Sequence, residues 1–273
     1  MTRVKIGIDA GGTLIKIAYI EDEKVNYQTF NSRETDEASK WIKEKFNNPS
    51  ICITGGRSEQ LAGLLDAQPQ TVVEFDATAS GIKYLAEKQG YQLGQNYLFV
   101  NVGTGTSIHS VKESQQERVG GSGIGGGTLL GLAYLLTGKL DYEEIIRSAS
   151  EGDRGNVDLK VKDIFEGSLP PISGDLTASN FGKKNAMASK APSDADKVAA
   201  VVGLIGEVIV TISTQMAFIN DTSSIVYVGS SFRSNPLLKE IIKEYTKMVG
   251  KEPVFLKNGE FSGAVGALLT LDA

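Results

Sequence analysis

Residues 4–20, VKIGIDAGGTLIKIAYI, place β-branched apolar runs on both sides of Asp9-Ala10-Gly11-Gly12-Thr13. That order predicts a strand, a tight glycine turn and a second strand, with a carboxylate entering the turn and Lys16 leaving it. A Walker loop needs G-x-x-x-x-G-K-[ST] opening into a helix, and a Rossmann fingerprint likewise starts a helix. A strand follows here, so both are excluded. The plan then recurs at residues 97–111, YLFVNVGTGTSIHSV, and ERVGG adds a third strand as KVNYQTF does after the first hairpin. A plan that starts twice predicts two similar α/β halves.

Between the hairpins, helices are expected over about 35–46 and 57–66, with a strand at SICITGG. TVVEFDA reads as a further strand, leading into the helix TASGIKYLAEKQG, and Asp76 is expected to cap that helix. In the second half, GGGTLLGLAYLLTG and NPLLKEIIKEYTKMVG read as helices, SSIVYVGSSF and EPVFL as strands, and about 138–195 as an insertion. The expected fold class is α/β, two duplicated domains over residues 1–93 and 94–273 with a cleft between them. At 273 residues two moderate cores are more natural than one.

Composition narrows the partners. A net charge of −5 shows no basic surplus of the kind a phosphate backbone selects, so no nucleic acid is expected. One cysteine and one histidine cannot assemble the usual zinc site. Cys52 reads as a buried strand thiol, and MTRVKIG carries no apolar leader, so a reducing, cytoplasmic setting is expected. Residues 198–219 are apolar and long enough to span a membrane. Glu207 and the scattered Gly, Ser, Thr and Gln instead predict a buried or interface helix, and no membrane is expected.

Two Gly/Thr turns facing each other would surround a phosphate chain with main-chain amides, joined by the hydroxyls of Thr13, Thr104 and Thr106. Asp9 alone would repel phosphate; Mg²⁺ bound to it, through water, reconciles the two, since that ion needs only one or two carboxylates. Lys16 adds a second neutralising charge. GSGIGGGTLLGL, residues 121–132, opens a helix whose first amides are a further candidate anion contact.

Together, IGIDAGGTLIKIA, VEFDA, NVGTGTS, RVGGSGIGGGTLLGL and GDLTASNFG resemble the type II pantothenate kinases. These belong to the superfamily of actin, sugar kinases and Hsp70, built on duplicated RNase H-like domains. The resemblance runs from residue 4 to about 267. It implies ATP-dependent phosphorylation of pantothenate, with Mg²⁺, by a cytoplasmic homodimer. Glu74 then corresponds to the catalytic base, and Arg118, Thr104 and Ser107 to the substrate site. Asp9, Ala10, Gly11, Gly12, Thr13, Leu14, Ile15 and Lys16 are expected around ATP, with Thr104, Gly126, Gly127, Thr128, Leu129, Leu130, Tyr142 and Ser230. His109 reads as a partly buried strand histidine outside the site. A ROK-type sugar kinase shares the first hairpin, but its cysteine-rich zinc motif cannot be built here. A non-catalytic nucleotide or ligand sensor is the reading from another class, and Glu74 with Arg118 weighs against it.

Overall fold

The computed structural model describes residues 3–66, 68–113, 115–165 and 167–272. The first half contains β1 (Lys5–Ala10), β2 (Leu14–Glu21), β3 (Lys24–Asn31), α1 (Thr35–Lys45), β4 (Ser50–Thr54), α2 (Ser58–Ala62), β5 (Gln70–Thr71) and α3 (Glu74–Lys88). The second opens with β6 (Asn96–Val102), β7 (Thr106–Lys112), β8 (Gln115–Ser122) and α4 (Gly126–Thr137). An inserted region follows: α5 (Tyr142–Glu151), β9 (Leu159–Lys160), α6 (Val161–Phe165), β10 (Thr177–Ser179) and α7 (Lys184–Ser189). The chain ends with α8 (Asp194–Ile219), β11 (Ser224–Val228), α9 (Pro236–Met248), β12 (Glu252–Phe255) and α10 (Ser262–Thr270).

The duplication is topological. One sheet runs β3-β2-β1-β4-β5 and the other β8-β7-β6-β11-β12, the same order with the insertion removed. In each, the first two strands pair antiparallel across the glycine turn, and the first pairs parallel with the fourth. Register makes the repeat residue by residue. Asp9 faces Lys16 one step before the end of β1, and Asn101 faces Ser107 one step before the end of β6.

Three apolar clusters hold these layers. Ile6, Ile8, Ile17 and Ile53 pack with Ala38 and Ile42 of α1. Ile82 and Leu85 of α3, with Val265 and Leu268 of α10, fill the space against Ala18 of the first sheet and Phe99, Val226 and Val254 of the second. Val201, Val202, Ile205 and Ile209 of α8 cover the other face of the second sheet, against Leu98, Val100, Ile225 and Tyr227. α8 starts on a capping box in which Ser193 and Asp196 bond each other's main-chain N–H. Two thirds of its most apolar stretch is buried, as expected for a core helix. Glu207 serves the insertion: it accepts from Arg154 Nη2 at 2.7 Å, Thr177 Oγ1 at 2.7 Å and Asn180 Nδ2 at 3.0 Å, fixing that excursion to the helix.

The TVVEFDA segment differs from the expectation. Its strand is only Gln70–Thr71, and α3 begins at Glu74 with Val73 at the cap position. Asp76 is therefore inside the first turn rather than capping the helix. β-branched residues suggest extension there, but a two-residue edge strand and the packing of α3 between the sheets override that local preference.

Candidate active site

The two hairpin turns meet. Thr13 Oγ1 and Thr104 Oγ1 lie 2.8 Å apart, so both turns open onto one crevice. Within it a cleft of about 340 Å³ is lined by Asp9, Gly11, Gly12, Thr13, Lys16, Glu74, Thr104, Ser107 and Arg118. A second of about 410 Å³ shares Thr13, Leu14, Thr104 and Ser230, and adds Gly126, Gly127, Leu130, Tyr142 and Arg233. The two are continuous through Thr13, Thr104 and Ser230.

The turns leave main-chain donors free. Gly11 N–H closes the first turn on Leu14 O, while the amides of Gly12 and Thr13 find no acceptor among the described residues. The same holds for Gly103, Thr104 and Gly105 in the second turn. Consecutive amides of this kind form anion-binding concavities.

α4 departs from the expectation. Gly126 N–H donates to Gly103 O at 2.8 Å and Gly127 N–H to Thr104 O at 2.9 Å, so these helix amides clamp the turn instead of facing a ligand. The glycines let the segments touch: a Cβ on Gly125 would meet Gly105 at 2.8 Å, and one on Gly127 would meet Thr104 Cγ2 at 2.9 Å. Thr128 Oγ1 bonds Gly123 O, and Thr106 Oγ1 donates to Ile124 O. Ala10, Ile15 and Leu129 turn their side chains into the cores. The nucleotide-side expectations that face the cavity are thus Gly126, Gly127, Leu130, Tyr142 and Ser230. Tyr142 lines it, and its hydroxyl lies 3.0 Å from the carbonyl oxygens of both Ser231 and Arg233. Burial pushes that phenol well above its ordinary range.

The charged groups are coupled. Lys16 Nζ donates to Asp9 Oδ2 at 3.0 Å, and both side chains are largely shielded. Asp9 Oδ1 takes no hydrogen bond among the described residues, and a Cβ on Gly55 would come within 2.9 Å of it. Glu74 opens α3, where the positive end of the helix favours a carboxylate. Burial outweighs that and raises its pKa; the charge of Asp9 raises it further, and Lys16 opposes both. A half-buried carboxylate with raised proton affinity at a cleft wall can hold or release a proton there.

Arg118 sits beside a bulge in β8, between the pairs Ile108–Gly120 and His109–Arg118. A Cβ on Gly121 would come within 2.5 Å of its Nη2, so the guanidinium lies along the bare glycine. Asn101, Phe75 and Arg233 also line the crevice and were not expected from the sequence. Superposing the two hairpin sequences on Asp9 would have exposed Asn101, which holds the equivalent register.

A family model described as Fumble matches residues 24–270. The type II pantothenate kinase of Staphylococcus saprophyticus is 45% identical over 97% of this chain and 99% of its own length. That of Staphylococcus aureus strain USA300 is 42% identical over 97% and 98%. Among solved structures, component A of the (R)-2-hydroxyglutaryl-CoA dehydratase of Acidaminococcus fermentans aligns with a TM-score of 0.63 at 14% identity, over 98% of this chain and 97% of that one. A ROK family glucokinase from Streptomyces griseus aligns with a TM-score of 0.56 at 15% identity over 98% of both. These structural likenesses give the fold alone, two α/β halves with the same strand order. The family match and the two staphylococcal relatives, aligned nearly end to end, go further: this chain belongs to the Fumble family, among the type II pantothenate kinases.

Proposed function

We propose that this chain transfers the γ-phosphoryl group of ATP to the primary alcohol of pantothenate, forming 4′-phosphopantothenate in the opening step of coenzyme A biosynthesis. The observation that carries the proposal is convergence: Glu74, Arg118, the Asp9–Lys16 pair and both turns line one cleft.

Phosphoryl transfer needs an aligned hydroxyl, neutralised phosphate charge and a proton acceptor. Glu74 takes the alcohol proton at its carboxylate, with a pKa raised by burial toward the working range. Arg118 offers a planar donor fork for the pantothenate carboxylate or the moving phosphoryl group, and Thr104 and Ser107 orient the substrate. The free amides of both turns hold phosphate oxygens, while Leu130, Tyr142 and Ser230 flank the nucleoside. Asp9 suits Mg²⁺: Lys16 holds one oxygen, and the other takes no hydrogen bond among the described residues. Water and phosphate oxygens would complete the shell, as this ion prefers. Bound there, Mg²⁺ supplies neutralisation of the phosphate charge.

In this reading lobes 1–93 and 94–273 form the catalytic unit, α10 packing back on the first, and the protein works as a cytoplasmic homodimer. Exposed Phe218 and Ile219 at the end of α8, at 52% and 73% exposure, supply apolar surface for pairing. A coupled ADP-release assay with pantothenate, glucose and N-acetylglucosamine tests the activity. Turnover on pantothenate is expected, and Glu74→Gln should lower kcat by about 10²- to 10⁴-fold. Turnover confined to the sugars rejects the substrate; full activity in the variant rejects the base.

A further inference from the structure

His109 is fully buried. Its ring stacks on Phe99 at 4.6 Å, with 3° between the planes, and tilts against Phe75 of α3 at 4.3 Å. Its Nδ1 lies 2.9 Å from Gln116 Oε1, and Gln116 Nε2 lies 3.2 Å from Asp76 Oδ1. The direction of this chain follows from its far end. An ionised carboxylate only accepts, so Gln116 must turn its NH₂ to Asp76 and its oxygen to the imidazole. His109 must then donate from Nδ1, leaving Nε2 as a bare acceptor that finds no partner among the described residues.

A phenylalanine would fill the slot between Phe75 and Phe99 with no orphaned nitrogen. An imidazole kept there at the expense of an unpaired atom points to the one thing it adds, the Nδ1–H. Burial lowers the pKa of His109, the Gln116 bond opposes that, and Arg118 nearby adds a smaller lowering. The chain leaves β7, crosses β8 and ends in the first turn of α3, two residues past Glu74. It therefore ties the start of that helix to the sheet that carries Ser107 and Arg118.

We propose that His109 and Gln116 are positioning residues for Glu74, fixing the first turn of α3 so that the carboxylate stands over the substrate alcohol. This rests on the reading of Glu74 as base. The test is steady-state kinetics on the full-length protein, with kcat and KM resolved for pantothenate and ATP. Gln116→Leu and His109→Phe should each lower kcat about tenfold with KM for ATP within about twofold, the pattern of a lost transition-state alignment. His109→Asn, whose side-chain NH₂ can stand in for Nδ1–H, should recover most of kcat. In a Glu74→Gln background, Gln116→Leu should lower kcat no further, because residues acting as one unit are not additive. A purely structural role would instead give additive losses.

Should His109→Phe fold poorly, Gln116→Leu and the double variant decide, since Gln116 is only half-buried. Gln116→Leu with kcat unchanged, while Glu74→Gln is inactive, overturns the positioning role and leaves the base standing. Additive loss in the double variant overturns it equally. Full activity of Glu74→Gln overturns the base itself, and with it the role proposed for the pair.

Discussion

Glu74 is held in a place that suits a reaction better than it suits a folded chain. Burial first, then the neighbouring charge of Asp9, makes its ionised form less favourable in the native state than in the unfolded one, with Lys16 relieving part of this. The sign follows by linkage. Because the folded-state pKa is raised, stability falls as pH rises from the ordinary glutamate range through the raised value, and the whole penalty is present above it. Glu74→Gln removes a charge that costs stability at neutral and alkaline pH. In ligand-free protein with a chelator present, the variant should therefore melt higher than the parent at pH 8, by on the order of 2 °C, and show no gain at pH 4. An equal shift at both values would mean that something other than the buried charge is responsible. Stability gained with activity lost is the usual pattern when a catalytic group is removed from its site.

Glycine decides how closely the elements approach. A Cβ on Gly81 of α3 would lie 1.9 Å from Ser262 O, one on Gly266 of α10 would lie 1.7 Å from Ala77 O, and one on Gly7 of β1 would lie 2.0 Å from Ala264 O. α3, α10 and β1 thus touch through backbone, with no room for a side chain. For Gly266→Ala, the helix-propensity gain is at most about 1 kcal/mol, against about 1–3 kcal/mol or more for forcing packed backbone apart. Overpacking wins, and thermal unfolding should fall by several degrees, at about 2–4 °C per kcal/mol for a chain of this size. Turnover should fall too, because α3 carries Glu74; an unchanged melting curve would refute the crossing geometry. None of this was legible in SGAVGALLTL, since periodicity reports which face is apolar and not how near a neighbour comes. The hairpins were legible because strand, turn and charge are adjacent in sequence: Asp9, Thr13, Lys16 and Thr104 are all where local reasoning puts them. The start of α3 was not, because Val72 and Val73 favour extension locally and only packing between the sheets makes the chain coil from Glu74. Phe75 follows Glu74 and Arg233 lies three residues past Ser230, but a strand reading of TVVEFDA turns Phe75 to the opposite face from Glu74, and only the helical start at Glu74 brings both to the crevice.

At the scale of the whole molecule, the crevice belongs to neither half alone. Thr13, Leu14 and Asn31 come from the first sheet's strands and turn, while Gly103, Thr104, Gly127 and Tyr142 come from the second half, and all line the same cavity. A nucleotide held there bridges two bodies whose direct polar contact at the turns is the Thr13–Thr104 hydroxyl pair. Ligand binding to the native state alone stabilises by RT ln(1 + [L]/Kd), or about 2.7 kcal/mol at a hundredfold excess over Kd. A non-hydrolysable ATP analogue with Mg²⁺ at that excess should raise the melting temperature by about 5–10 °C in a single transition. The distribution of protection matters more than its size. Amide exchange should slow in both turns, 10–14 and 103–106, because the free amides of each then acquire phosphate acceptors. Protection confined to the second turn would mean that the nucleotide sits on one half only. Glu74, carried by the other, would then have no reason to face the transferred group, and the argument from convergence would fail at its first step.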